Sequence, residues 1–320
     1  MEEKALTDNV VMIRPHNFGF NEQTAPTNKF QRKANGAVNS KALSEFNNAV
    51  KKLIKNGINV FVFDDLADLD TPDSVFPNNW VSFHSDGTVV LYPMLARNRR
   101  AERRTDLLYT LSELYGFNVS RLLDLTDYEH KGKFLEGTGS LVLDRENRIA
   151  YSCLSERTNS EVVDRFCRFM GYTAVKFKAY DKDGFTIYHT NVMMNVCSDF
   201  VMVCLNSIRD EEERNMVIDS IESSGKRIID LSQDQIQNFA GNALELLDRN
   251  GSRKLVISKK AFDSLSAGQK SLIRKYDEML TVNVDTIEEC GGGSIRCMLA
   301  EVFLPIKKAA KGKVTYKSKR

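Results

Sequence analysis

The stretch Glu136-Gly137-Thr138-Gly139-Ser140-Leu141-Val142-Leu143-Asp144-Arg145-Glu146-Asn147-Arg148-Ile149-Ala150-Tyr151-Ser152-Cys153 decides the fold. It has a polar, glycine-bearing head and then two apolar runs separated by the turn residues 144–147, the pattern of a β-hairpin. Apolar residues at helical spacing follow over 160–170, and a short strand pattern follows over 174–179. The same order recurs along the chain. Hairpins are predicted over 80–92 around Ser85-Asp86-Gly87, over 192–205 around Ser198-Asp199, and over 243–258 around Asp248-Arg249-Asn250-Gly251. Each leads to a helical pattern, at 100–115, 210–223 and 259–275, and then to a strand, at 121–125, 227–231 and 279–284. The unit is hairpin, helix, strand, with a period of about 50 to 60 residues.

A fifth unit closes if the two ends of the chain join, with a strand over 294–304 beside one over 10–14, a helix over 41–55 and a strand over 59–63. Five such units in a ring make an α/β fold, a fivefold pseudosymmetric α/β propeller. No Pro/Gly/Ser-rich linker divides the chain, so residues 1–320 read as one catalytic domain, with a core over about 9–305 and a basic tail over 306–320.

Each hairpin is preceded, at a matching place, by a polar or glycine cluster: Pro77-Asn78-Asn79, Glu136-Gly137-Thr138-Gly139, His189-Thr190-Asn191, Gly241-Asn242, and Gly291-Gly292-Gly293 leading to Cys297. The successive anchors Asn79, Glu136, His189, Asn242 and Cys297 are 57, 53, 53 and 55 residues apart. In a ring, equivalent positions converge on the axis, so a thiol, an imidazole, a carboxylate and amides meet in one pocket. That set suits covalent catalysis: a Cys297 thiolate attacks an electrophilic carbon, His189 moves protons to and from the leaving nitrogen, and Glu136 holds the imidazole. Each of these residues alone has a plain structural reading. Their shared place in the repeat favours the joint one.

The motifs Glu136-Gly137-Thr138-Gly139, His189-Thr190-Asn191 and Gly291-Gly292-Gly293-Ser294-Ile295-Arg296-Cys297 resemble the three core motifs of the pentein superfamily. This superfamily includes arginine and agmatine deiminases, dimethylarginine hydrolases and amidinotransferases. Met12-Ile13-Arg14-Pro15 and Phe76-Pro77-Asn78-Asn79-Trp80 resemble its arginine-deiminase-related branch, which contains citrulline-utilisation hydrolases. The resemblance implies the same fold, with Cys297 as nucleophile, His189 as acid/base and Glu136 as its partner. It also exposes a departure. Deiminases of the superfamily grip a guanidinium with two aspartates, and here Asn79 and Asn191 stand in those places. A carboxylate pair suits a cation, whereas an amide offers a donor and an acceptor to a neutral ureido group. The implied reaction is therefore metal-independent, cofactor-free hydrolysis of a citrulline-like amino acid to ornithine, carbon dioxide and ammonia. Arginine deiminase or dihydrolase is the alternative, and an amidinotransferase or a non-catalytic binding protein is the more distant one.

The run Leu95-Ala96-Arg97-Asn98-Arg99-Arg100-Ala101-Glu102 resembles the deiminase segment in which an arginine meets the substrate carboxylate, and Arg97 is the expected residue. Asn242 is a further substrate-binding candidate on position alone. Arg296 either favours the thiolate or pairs with an acid. The polar, irregular segment over 17–36 reads as a lid.

Composition narrows the alternatives. The chain has 45 basic and 43 acidic residues, and seven of the basic ones lie in the fourteen residues from Lys307 to Arg320. A surplus confined to one terminus does not point to nucleic acid. The polar N-terminus is no secretory signal, and no apolar run reaches membrane-spanning length. The six cysteines, 153, 167, 197, 204, 290 and 297, show neither a C-x-x-C pair nor zinc-like spacing, so the cytoplasm is the expected compartment. The expected partner is a small amino-acid substrate, with no nucleic acid and no membrane. An oligomer is compatible with the sequence.

Overall fold

A computed structural model describes residues 5–34 and 36–307. The alternation of apolar and polar runs becomes five three-stranded sheets. Strands β1 (Asn9–Arg14) and β2 (Asn59–Asp64) share the first sheet with β15 (Ala300–Glu301). The second holds β3 (Val81–Phe83), β4 (Thr88–Leu91) and β5 (Arg121–Asp124), and the third β6 (Leu141–Asp144), β7 (Ile149–Cys153) and β8 (Thr173–Phe177). The fourth holds β9 (Met194–Val196), β10 (Phe200–Val203) and β11 (Arg227–Asp230), and the fifth β12 (Leu244–Leu247), β13 (Arg253–Ser258) and β14 (Glu278–Val282).

Every sheet has one antiparallel and one parallel ladder. In the third, Val142 pairs with Tyr151 across the hairpin and Tyr151 pairs in parallel with Val175. The parallel step needs a crossover, which the helix supplies. In the third unit this is the helix Ser160–Met170, opened by Asn159, whose side chain accepts the Glu161 N–H, and closed by Gly171 in the left-handed conformation. Its inner face is Val162, Val163, Phe166, Cys167 and Met170, all buried. The first sheet confirms that the chain ends close on each other: Val10 and Val11 pair with Glu301 and Ala300. Units contact their neighbours in ring order, β15 with β3, β6 with β9, and β9 with β12. Trp80, Tyr92, Tyr151, Phe166 and Phe200 are fully buried between sheets and helices. Truncating any of these to alanine is expected to cost about 3 to 5 kcal/mol.

The structure departs from the sequence reading in three places. The helix expected over 259–275 is two helices, Lys259–Ser264 and Ala267–Ile273, because Ser266 and Gln269 form a capping box that starts a new one. The helix expected over 100–115 is a short turn, Arg97–Arg100, and then Thr105–Glu113. The strand expected over 294–304 is a single 3₁₀ turn, Ile295–Met298, followed by the two residues of β15. Most of the basic tail, 308–320, lies outside the described residues. No helix among the described residues is long and apolar enough to cross a membrane.

Candidate active site

The five polar heads do converge. The turn at Ile295–Met298, closed by the Cys297 N–H donating to Ser294 O at 2.9 Å, sets the thiol in the pocket with 6% exposure. Two amides from neighbouring units point their NH₂ groups at it. Asn242 Nδ2 lies 3.2 Å from Cys297 Sγ, and Asn191 Nδ2 lies 3.5 Å away. Asn242 Nδ2 also donates to Asn191 O at 3.2 Å, which ties the two heads together.

His189 Nε2 and Glu136 Oε2 are 2.8 Å apart, and Glu136 is fully buried. The other carboxylate oxygen accepts the Leu95 N–H at 3.1 Å, and Arg157 Nη1 reaches Oε2 at 3.4 Å. Burial alone would raise the Glu136 carboxyl, but Arg157, the His189 hydrogen bond and Arg99 hold it well below the usual carboxylate range. Burial pushes the His189 imidazole down to about 4 against the pull of Glu136. With no substrate bound, the pair is thus a carboxylate and a neutral imidazole whose Nε2 carries the shared proton.

The head at 136–139 needs glycine at two positions. Gly137 has φ +47°, and a Cβ there would overlap the Asn78 carbonyl oxygen. A Cβ on Gly139 would overlap the Asn79 amide and come within 2.8 Å of His189 Nδ1. Glycine therefore lets the heads that carry Asn79 and His189 close on the 136–139 head.

Asn79 is 3% exposed and accepts from Arg99 Nη1 at 2.8 Å through its Oδ1. Its Nδ2 is buried with no hydrogen-bond partner among the described residues, as are Oδ1 of Asn191 and Oδ1 of Asn242. Buried amide groups rarely go unpaired. Asn79 lines the cavity that holds Cys297, and the Asn191 and Asn242 side chains contact its sulfur.

The structure corrects the choice of arginine. Arg97 is exposed and outside the pocket, while Arg99, two residues on, is 2% exposed and lines it. Arg99 is fixed by Glu102, with Nη2 at 2.9 Å from Oε2, and by Phe76 O at 3.2 Å. A helical run of four polar residues cannot say which one turns inward. The acid three residues after Arg99 was the usable signal. Arg157 was missed altogether: it lines the cavity, donates to Thr24 O at 2.8 Å and Thr27 Oγ1 at 2.6 Å, and stacks 4.9 Å over the Tyr188 ring. A repeat-level signal existed. Arg99 follows its anchor Asn79 by 20 residues and Arg157 follows Glu136 by 21, and each donates to the anchor's side chain. Asp73, also missed, accepts from Asn21 Nδ2 at 2.8 Å and Thr24 Oγ1 at 3.0 Å. Arg296 is turned away from the pocket, toward Leu299 O and Glu301.

The segment 17–34 lies over this site. Asn21, Thr24, Asn28 and Gln31 are buried, and Gln31 Nε2 donates to Gly291 O at 3.0 Å. The cavity left beneath, lined by Asn28, Asp73, Asn79, Arg99, Arg157, His189 and Cys297 among others, is about 20 Å³. That is room for about one water.

A ring of five mixed sheets around a Cys, His and Glu set with amide and guanidinium walls defines a pentein-fold, guanidino-modifying hydrolase. Residues 14–304 match the model of eukaryotic N,N-dimethylarginine dimethylhydrolases, and the chain belongs to that family. No curated protein matches it. Among solved structures, ArgZ, a cyanobacterial arginine dihydrolase, is similar with TM-score 0.71 and 17% identity over 93% of this chain. This chain spans 41% of the length of ArgZ. The N-terminal domain of ArgZ with bound substrate, in a cysteine-to-serine variant, has TM-score 0.70 and 17% identity, covering 92% of this chain and 99% of that domain. DDAH from Pseudomonas aeruginosa, a variant complexed with citrulline, has TM-score 0.62 and 12% identity, covering 93% of this chain and 100% of that one.

Proposed function

We propose that the protein hydrolyses the ureido group of citrulline, giving ornithine, carbon dioxide and ammonia, with Cys297, His189 and Glu136 as the catalytic set. The observation that carries the reading is the amide lining. Where deiminases of the superfamily place two aspartates, this chain has Asn79 at the cavity wall and Asn191 beside the thiol, each with an unpaired amide atom, as has Asn242. A ureido group has one carbonyl oxygen and N–H groups, which pair with amide donors and acceptors without burying a net charge. The Cys297 thiolate adds to the ureido carbon, ammonia leaves with a proton from His189, and the carbon stays on sulfur as a thiocarbamate of ornithine. Water activated by His189 hydrolyses that bond, and the resulting carbamate loses carbon dioxide.

Arg99 and Arg157, both buried at the cavity wall, are the groups suited to the substrate carboxylate, and Asp73 beside them suits its ammonium. The cavity is too small for an amino acid of this size, so the segment 17–34 opens to admit it. The ring acts as one catalytic domain, in the cytoplasm.

Arginine taken through two hydrolyses to ornithine is the second reading, favoured by the match to an arginine dihydrolase domain along nearly its whole length. Ammonia and ornithine release from citrulline, arginine, agmatine, methylarginines and succinylarginine separates the readings. Citrulline turned over with ornithine as product supports the first. Arginine consumed faster than citrulline, with two ammonia per ornithine, replaces it with the second. Methylamine released from methylarginines with citrulline accumulating rejects both.

A further inference from the structure

Cys197, which follows β9, Glu245 in β12 and Asp277, which precedes β14, are far apart in sequence and buried together between the fourth and fifth sheets. The thiol sulfur and one oxygen of each carboxylate all lie within 4.8 Å of one another. None of the three lines the cavity that holds Cys297. Their protein neighbours account for these carboxylates only in part. Both oxygens of Asp277 and Oε1 of Glu245 are buried with no hydrogen-bond partner among the described residues. The side chains of Asp277 and Glu245 are 0% and 1% exposed. Glu245 spends its other oxygen on Ser198, accepting from the backbone N–H at 2.6 Å and from Oγ at 2.9 Å, which aims Oε1 at the cluster. Arg253 faces both acids, but its Nε is 3.5 Å from Asp277 and 3.7 Å from Glu245, and its Nη1 is committed to Asp199.

Two carboxylates with their free oxygens toward each other and toward a thiol are costly unless something positive sits between them. We propose that Cys197, Glu245 and Asp277 bind a divalent transition metal of the zinc type, which staples the fourth unit of the ring to the fifth. A thiolate with two carboxylates is a zinc ligand set rather than a calcium or magnesium one, because the sulfur is soft. The two charges of the ion offset two of the three negative charges of the ionised ligands, and Arg253, shared with Asp199, faces the third. Asn195 Oδ1, 3.4 Å from Cys197 Sγ, is a neutral oxygen at hand for a fourth position. The role is structural: the three ligands are buried, with Arg253 as a half-buried cover, and the site holds no group of the proposed reaction.

The probes are zinc and cobalt(II), used on the full chain. Because Cys297 is a second thiol that could take up zinc or cobalt by itself, binding is measured in Cys297→Ala. The expected result is one zinc per chain retained through gel filtration, and a near-ultraviolet thiolate-to-cobalt band when cobalt replaces it. Adding Cys197→Ser should abolish the cobalt band and weaken zinc by about a hundredfold or more. Asp277→Asn should also weaken it, and the conservative serine variant serves if the asparagine variant does not fold. In the chain with Cys297 intact, zinc should raise Tm in the wild type but not in Cys197→Ser, while both keep the same specific activity. Failure of Cys297→Ala to take up zinc at neutral pH, as when the two carboxyls share a proton instead, overturns the proposal. Equal zinc affinity with and without Cys197 overturns it as well.

Discussion

The Nδ2 of Asn242 stands 3.2 Å from the Sγ of Cys297, a contact between residues 55 apart in sequence. Asn191 aims a second amide donor at the same sulfur from 3.5 Å, so in the proposed mechanism the two amides orient the nucleophile. Replacing Asn242 with leucine, nearly the same size, should lower kcat/KM by about ten- to a hundredfold, the worth of one hydrogen bond to a charged group. Alkylation of Cys297 by iodoacetamide at fixed neutral pH should slow with it. Unchanged alkylation with reduced activity would move Asn242 from the nucleophile to the substrate.

Cys297→Ser should abolish turnover and leave the fold intact, since serine fills the same space and a hydroxyl is a far poorer nucleophile without a dedicated base. Circular dichroism and ammonia release measure the two sides. Activity within a few-fold of wild type would remove Cys297 from the mechanism.

Asn79 tests the reading of substrate charge. Its Oδ1 accepts from Arg99 while its Nδ2 is unpaired, so Asn79→Asp keeps the first contact and turns the second into an anion. The citrulline-to-arginine ratio of kcat/KM should fall at least about tenfold, or about 1.4 kcal/mol. Combining it with Asn191→Asp places a second anion beside Cys297 and should depress absolute rates further, so the ratio is the quantity to compare. A ratio that does not move would leave the preference for citrulline without its physical basis.

Arg97 and Arg99 should behave as opposites. Arg97→Ala, at an exposed position, should change stability by no more than about 0.5 kcal/mol and activity little. Arg99→Ala leaves Glu102 and Asp73 buried without their cation and should cost about 3 to 5 kcal/mol, together with most of the activity. Urea unfolding of both variants decides it. Equal effects would mean the pocket wall is assigned to the wrong residue.

His189 should make stability depend on pH in a defined direction. Burial takes its pKa from 6.5 to about 4, so between those values the unfolded chain binds a proton that the folded one refuses. The stability from this group is present above 6.5 and is lost as pH falls toward 4, with a slope of about 1.4 kcal/mol per pH unit. His189→Gln should flatten the wild-type curve just below pH 6.5. Parallel curves for the two proteins would mean that the folded imidazole titrates like an exposed one.

What the sequence determined by itself was the periodic part. Alternation in 141–153, helical spacing in 160–170 and the return strand are local patterns. The helix Ser160–Met170 was readable to the residue because Asn159 and Gly171 punctuate it. The repeat then placed Asn79, Glu136, His189, Asn242 and Cys297 at equivalent positions, since ring symmetry converts spacing into convergence. Tertiary structure alone decided which charged groups are buried. Arg99 turns inward and Arg97 outward because Glu102, Asn79 and Phe76 O receive the former. Arg157 is held from 130 and 133 residues away by Thr27 and Thr24. The gathering of Cys197, Glu245 and Asp277 has no spacing to read at all. A charge goes inside only where partners from other parts of the chain offset its desolvation, and those partners exist only once the ring has closed.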